Sequence, residues 1–299
     1  MIASLTYFQA VVMGLVQGVT ELFPVSSLGH GVLLPGLLGW HNLVSSQTQA
    51  NSFFLVFLVG LHVGTAIGLI VFYRATWRKL LEGLVRQVKA SRHDGASSLW
   101  RLSSDAMDRD YRMLFLLVLG SIPVGIVGVL LEKPLRELFA RPLAAAIFLT
   151  INGVILLVGE RMRSHRGRHA RYEKVEALSG RNAFAIGSAQ ILALFAGISR
   201  SGVTMVAGLT RGLDHEDAAN FSFLLATPVI LLAGLYKLPS LMGHLGQGVR
   251  AQTAVGAVCA GLAAYVAVRF LTRWFTTKTL NPFGIYCLVA GIACVVRFA

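Results

Sequence analysis

The sequence predicts an all-α polytopic membrane protein, and three observations carry that prediction. Of its 299 residues 55% are hydrophobic and 14% charged. Long apolar runs alternate with short basic stretches. The runs also lack the polar face that a helix on a soluble core shows, as in Met113 to Leu131 and Leu143 to Val158.

The net charge of +13 would suggest nucleic acid as a partner if the chain were soluble. Here the basic residues gather between apolar runs, so membrane orientation explains them and no nucleic-acid partner is expected. Cys259, Cys287 and Cys294 lie in or beside apolar segments without metal-ligand spacing and read as packing residues. No Lys or Arg precedes Arg74, so the N-terminus lacks the basic start of a cleavable signal peptide and is expected to belong to the mature protein.

At about 17 to 25 residues per crossing, six segments read as spans: Phe53 to Tyr73, Met113 to Leu131, Leu143 to Val158, Phe221 to Tyr236, Ala251 to Phe270 and Pro282 to Val296. Two further regions are apolar but interrupted. Leu5 to Gly39 is broken by Glu21, Pro24 and Pro35, and Phe184 to Leu213 by Gly197, Arg200 and Gly202. Each predicts two short helices meeting at a polar turn, re-entrant and buried, since non-helical backbone at membrane depth needs protein or a watery cavity around it.

Three spans follow each broken region, so the chain is expected to be a single transmembrane domain, 1–299, of two halves divided near Gly180, 1–180 and 181–299. An odd number of spans per half makes the halves an inverted repeat, with both turns meeting near the midplane. Arg74 to Arg112 holds nine Lys or Arg, Arg161 to Arg181 seven, and Lys133 to Arg141 three. By the positive-inside rule the first two are cytoplasmic and the third outside, which places the N-terminal turn toward the outer face.

Chemistry concentrates in the two turns. Glu21 is the only formally charged side chain in the first 73 residues, and Gln17 lies one helical turn before it on the same face. An unpaired carboxylate in hydrocarbon costs at least about 2.5 kcal/mol on insertion scales, so a cation, donors or water must lie nearby. Ser26, Ser27 and His30 follow within ten residues, adding hydroxyls and an imidazole suited to nucleophilic and proton-transfer roles. The plainer reading makes Gln17 and Glu21 interhelical glue and the serines helix caps. In the second turn Arg200 stands among Ser199, Ser201, Gly202 and Thr204. A planar five-donor cation with hydroxyls and helix-start amides is what an oxyanion requires, whereas a snorkelling arginine would leave those neighbours unexplained.

These residues resemble the undecaprenyl pyrophosphate phosphatases, also called bacitracin resistance proteins. The family's Glu/Gln-x-x-x-Glu is matched by Gln17 and Glu21, its Pro-Val-Ser-Ser-x-Gly-His by Pro24 to His30, and its Pro-Gly-x-Ser-Arg-Ser-Gly-x-Thr by Gly197 to Thr204. Leu61 to Thr65 and Phe221 to Pro228 are similar to family sequence as well, so the resemblance runs through nearly the whole chain. Three departures stand out: Ala196 replaces the usual Pro, Leu28 replaces a small polar residue, and Gln17 leaves Glu21 as the only carboxylate of the first motif.

The resemblance implies hydrolysis of undecaprenyl pyrophosphate to undecaprenyl phosphate and inorganic phosphate, which recycles the cell-wall lipid carrier in the bacterial plasma (inner) membrane and confers bacitracin resistance. Arg200, Ser199, Ser201, Thr204, Ser26 and the amides near Gly202 would hold the pyrophosphate. Ser27 is the nucleophile of choice, with Glu21 and His30 sharing metal-binding and proton-transfer roles and Gln17 in support. Direct water attack and a phosphorylated His30 remain open. A divalent cation, Mg²⁺ or Ca²⁺, is expected at Glu21. The expected partners are the polyprenyl pyrophosphate substrate, membrane lipids and a second copy of the chain in a homodimer. The main rival is a lipid-phosphate transporter or flippase using the same anion site. An ion channel fits less well, because no acidic or carbonyl-rich filter sequence repeats.

Overall fold

A computed structural model describes residues 5–47, 53–94, 99, 107–131, 141–164 and 174–299. Among them the regular structure is helical, with twelve α-helices and short 3₁₀ turns between some of them. The first broken region forms α1 (Tyr7–Leu22) and α2 (Ser27–Leu37). The second forms α8 (Gly180–Ala189), a 3₁₀ turn at Gln190–Leu194, and α9 (Arg200–Thr210).

Among the described residues six helices are long and apolar enough to cross a membrane. They are α4 (Phe53–Phe72), α6 (Arg109–Leu130), α7 (Pro142–Ser164), α10 (His215–Met242), α11 (Arg250–Trp274) and α12 (Asn281–Phe298). Each coincides with an expected span, and several run past the apolar limits because polar caps extend them. Asp108 accepts hydrogen bonds from the amides of Asp110 and Tyr111 at the start of α6. Asp214 accepts from the amide of Asp217 at the start of α10, six residues before the expected span.

Two helices depart from the sequence reading. α3 (His41–Gln47) follows the first broken pair. α5 (Arg74–Asp94) occupies much of the basic stretch after the first span, where a loop was expected. Its Leu80, Gly83 and Gln87 are buried against the start of α6, and that apolar spacing is hidden in the sequence by six Lys or Arg among its 21 residues. The expected outer loop from Lys133 to Arg141 lies, apart from Arg141, outside the described residues, as does 165–173 of the second basic stretch.

Small residues set the packing. α11 lies against both α1 and α4, and a Cβ added at Gly14, Gly18, Gly64 or Gly68 would run into α11 backbone at Gly256, Ala260, Ala257 or Gly261. Lipid tails are as apolar as leucine, so close backbone contact drives such association more than burial of apolar area does. α6 and α8 meet the same way through Gly120 and Gly187.

This seam makes a paired prediction. Gly64→Ala should lower the thermal-unfolding midpoint of the purified protein, with an overpacking cost on the order of 1–3 kcal/mol. Gly125→Ala adds a Cβ that meets nothing within 4 Å and should hold or raise the midpoint, since alanine is the better helix former by roughly 0.5–1 kcal/mol. Equal midpoints would contradict the close-packed seam.

Candidate active site

Glu21 sits in the last turn of α1 and Ser27 in the first turn of α2, so the break between the helices folds the hydroxyl back onto the carboxylate. The Ser27 hydroxyl donates a short hydrogen bond to Glu21 Oε2. Gln17 Nε2 donates to the same oxygen at 3.0 Å, and His62 Nε2 of α4 stands 3.4 Å from it. Arg200 approaches the other oxygen, with Nε at 3.4 Å and Nη2 at 3.3 Å from Oε1. Charge-assisted pairs ordinarily close to about 2.7–2.9 Å. The guanidinium is therefore held loosely, and its fork retains capacity for an anion.

The first turn bends sharply at Ser26, the one non-glycine residue with positive φ among the described residues (φ 71°). Such a conformation costs on the order of 1–3 kcal/mol and persists only where the surroundings over-determine it. They do so here. Ser26 Oγ caps α2 by accepting from the Gly29 amide at 3.1 Å and reaches across to accept from the Gly197 amide at 3.1 Å. Gly197 has φ 113°, a conformation that favours glycine, and the Ala196 turn is closed by Ile198 N–H donating to Phe195 C=O at 3.0 Å.

Asn152, fully buried in the middle of α7, ties the turns together from behind. Its Nδ2 donates to Pro24 C=O at 3.0 Å, and its Oδ1 accepts from the Ser199 amide at 2.9 Å.

A cavity of about 230 Å³ opens onto this arrangement. Glu21, Ser26, Ser27, His62, Ser199 and Arg200 give it a polar floor, and Leu28, Val59, Val124, Leu194, Val229 and Ile230 give it apolar walls. The other expected site residues lie behind the floor. Ser201 Oγ donates to Phe23 C=O at 3.3 Å, the Gly202 amide donates to Ser199 Oγ at 3.1 Å, and Thr204 Oγ1 donates to Arg200 C=O at 2.8 Å and pairs with Ser222 Oγ at 2.6 Å. His30 turns away from the cavity: Nδ1 pairs with Ser26 C=O at 2.7 Å and Nε2 with the Tyr286 hydroxyl at 2.8 Å.

The sequence profile described as "Bacitracin resistance protein BacA" matches residues 10–293. The chain belongs to the bacitracin resistance protein family. It is 46% identical to undecaprenyl-diphosphatase 2 of Frankia alni over 99% of this chain and 98% of that protein. It is also 46% identical to the undecaprenyl-diphosphatase of Mycolicibacterium paratuberculosis over 100% and 99% of the two chains. Identity with undecaprenyl-diphosphatase 2 of Chromobacterium violaceum is 41% over 95% and 96%.

In this member of the bacitracin resistance protein family, His62 and Ser222 fall in segments noted only as similar to family sequence, with no site role expected of them, and Asn152 is not singled out by the sequence at all. Each is a polar side chain inside an otherwise apolar span, which is the available signal, because such residues are costly there unless they serve a site or a neighbour. Asn152 yields a prediction. Asn152→Leu keeps the branched side-chain shape but orphans the Ser199 amide and leaves the Pro24 carbonyl only the Cys287 thiol at 3.8 Å, at about 1–3 kcal/mol for a buried group left unsatisfied. The unfolding midpoint should fall clearly, and an unchanged midpoint would remove Asn152 as the clamp between the turns.

Proposed function

We propose that this enzyme hydrolyses undecaprenyl pyrophosphate to undecaprenyl phosphate and inorganic phosphate, recycling the lipid carrier of cell-wall synthesis. The observation that carries the reading is a hydroxyl already hydrogen-bonded to a carboxylate, facing a loosely held guanidinium in a cavity with a polar floor and apolar walls. A charged head and a long apolar tail need that division. The diphosphatase relatives match this chain end to end.

Ser27 Oγ attacks the terminal phosphorus while its proton passes to Glu21. The bond to the bridging oxygen breaks, and its electron pair leaves with undecaprenyl phosphate. Water then attacks the phosphoserine, Glu21 returns its proton to Ser27 Oγ as that bond breaks, and phosphate leaves with the water's oxygen and both of its protons. Phosphoryl transfer is mostly positioning and charge stabilisation. Arg200 supplies both by turning its fork from Glu21 to the phosphoryl oxygens, and Ser199 and Ser26 border the same space. His62 faces the head group. Gln17, Ser201, Gly202, Thr204 and His30 hold the two turns in place.

A divalent cation, Mg²⁺ or Ca²⁺, fits as an ion carried largely by the substrate. Glu21 is the carboxylate in reach, and no group of three His, Cys, Asp or Glu among the described residues could hold an ion. Phosphate oxygens and water would supply the remaining ligands, as is usual for Mg²⁺. When bound, the ion neutralises pyrophosphate charge.

The two halves read as an inverted repeat with re-entrant pairs, and helix pairing supports this. Exchanging the halves maps α1 against α11 onto α8 against α6, and α4 against α11 onto α10 against α6, while α7–α12 and α4–α10 map onto themselves; all six pairs are in contact. The cavity opens to the outer face of the inner membrane. Val59, Val124 and Gly234 line it from the span halves remote from the two richest basic stretches, which supports that orientation.

Three measurements test these readings. Ser27→Ala and Glu21→Gln should abolish phosphate release by purified, folded protein, and Arg200→Lys should lower kcat about a hundred- to a thousandfold with a smaller change in KM. Near-normal release by Ser27→Ala would reassign the nucleophile, and an unchanged kcat with a raised KM in Arg200→Lys would make Arg200 a ground-state ligand only. Chelation should stop turnover reversibly, whereas full turnover in metal-free protein would retire the cation. Leu28→Cys, in a background lacking the native cysteines, should react with an impermeant thiol reagent from the outside. Labelling only in inverted membranes would overturn the orientation.

A further inference from the structure

The connection between α4 and α6 carries a feature that the hydrolysis does not use. α5 starts two residues after α4 ends, and its polar and apolar side chains divide into sectors. One sector, Leu80, Gly83 and Gln87, is buried against the start of α6. A second, Leu81, Val85 and Val88, recurs at i, i+4 and i+7, and these side chains are 55%, 53% and 41% exposed. The third contains Lys79, Glu82, Arg86 and Lys89.

Chain geometry fixes how α5 lies. From Arg74 to Gln87 the helix advances about 20 Å at 1.5 Å per residue. Gln87 Oε1 accepts from the Asp108 amide at 2.8 Å, and Arg86 pairs with Asp108 and Asp110 at 2.7 and 2.6 Å. Asp108 precedes Met113, where the apolar run of α6 begins, by five residues, or about 7.5 Å along the helix. The near end of α5 is tethered to the membrane boundary by α4. Its middle is tethered within those few ångströms of the same boundary by α6, so the axis lies closer to the membrane plane than to the normal.

We propose that α5 is an interfacial helix whose Leu81–Val85–Val88 stripe enters the acyl boundary of the leaflet and whose basic residues hold anionic lipid headgroups. The occupant follows from charge as well as position. α5 carries six Lys or Arg against Glu82 and Asp94, and among the described residues Lys79, Lys89 and Arg92 have no carboxylate partner. A second protein could cover an apolar stripe too. A helix held in the plane beside two spans already has a lipid surface against it, and basic residues flanking a short apolar stripe are the pattern such surfaces select.

The test uses the full chain in vesicles of phosphatidylcholine and phosphatidylglycerol, with Cys259, Cys287 and Cys294 replaced by alanine. A fluorophore is attached at Val85→Cys or, for comparison, at Glu82→Cys. Lipids brominated in the acyl chain should remove most of the emission at position 85 and little at position 82, and aqueous iodide should do the reverse. Iodide reaching both positions equally would overturn the interfacial helix. A second measurement needs no substitution: amide hydrogen exchange across Arg74–Asp94 should slow when phosphatidylglycerol is present. Equal exchange in phosphatidylcholine alone would overturn the anionic-headgroup half.

Discussion

Glu21 is buried inside a membrane domain and Arg200 nearly so, its side chain 11% exposed to the cavity; the two are 179 residues apart in sequence and within 3.4 Å in space. Neither charge is tolerable there alone, and a buried pair gains only where further hydrogen bonds satisfy what the partner leaves open. Much of the polar interior can be read as meeting that condition. Gln17, Ser27 and His62 surround the carboxylate, and the Ser222 carbonyl takes a third arm of the guanidinium at 3.2 Å.

The same condition explains why the helices break where they do. A continuous helix could not return Ser27 to Glu21, and a continuous second helix could not start at Arg200 with its side chain facing the first turn. Each break frees backbone groups that must be satisfied away from water, and the structure spends side chains on them: Ser26 on Gly29 and Gly197, Ser199 on Gly202, Asn152 on Pro24 and Ser199. Ser199 thus holds the turn as well as bordering the cavity, while Ser201 only holds the turn. In the proposed mechanism Arg200 and Ser27 are the cavity groups that meet the phosphoryl group.

The spans were legible because apolar runs of that length, without a polar face, are stable mainly in hydrocarbon, and the breaks because Pro, Gly and charge interrupt them. Glu21 and Arg200 could be singled out as buried charges needing partners. Direction was not legible: neighbouring positions on a helix point to different sides, so Ser201 and Thr204, close to Arg200 in sequence, bond inward while Ser199 faces the cavity. His30 looked like a partner for Ser27, yet its one-turn spacing from Ser26 sends the ring to the Ser26 carbonyl and Tyr286. Asn152 and His62 lie far from either motif in sequence, and only the fold brings them to it. α5 reads as a loop in the sequence because its many charges obscure a stripe spaced at i, i+4 and i+7.

The Glu21–Arg200 pair couples the two turns, and a double-mutant cycle measures that coupling directly. Unfolding free energies of Glu21→Gln, Arg200→Gln and the double variant should be non-additive, with a coupling of roughly 0.5–3 kcal/mol, the range for residues in contact. The double variant should be less destabilised than the single changes together imply, because each single change strands the opposite charge. Additivity within about 0.3–0.5 kcal/mol would contradict the account.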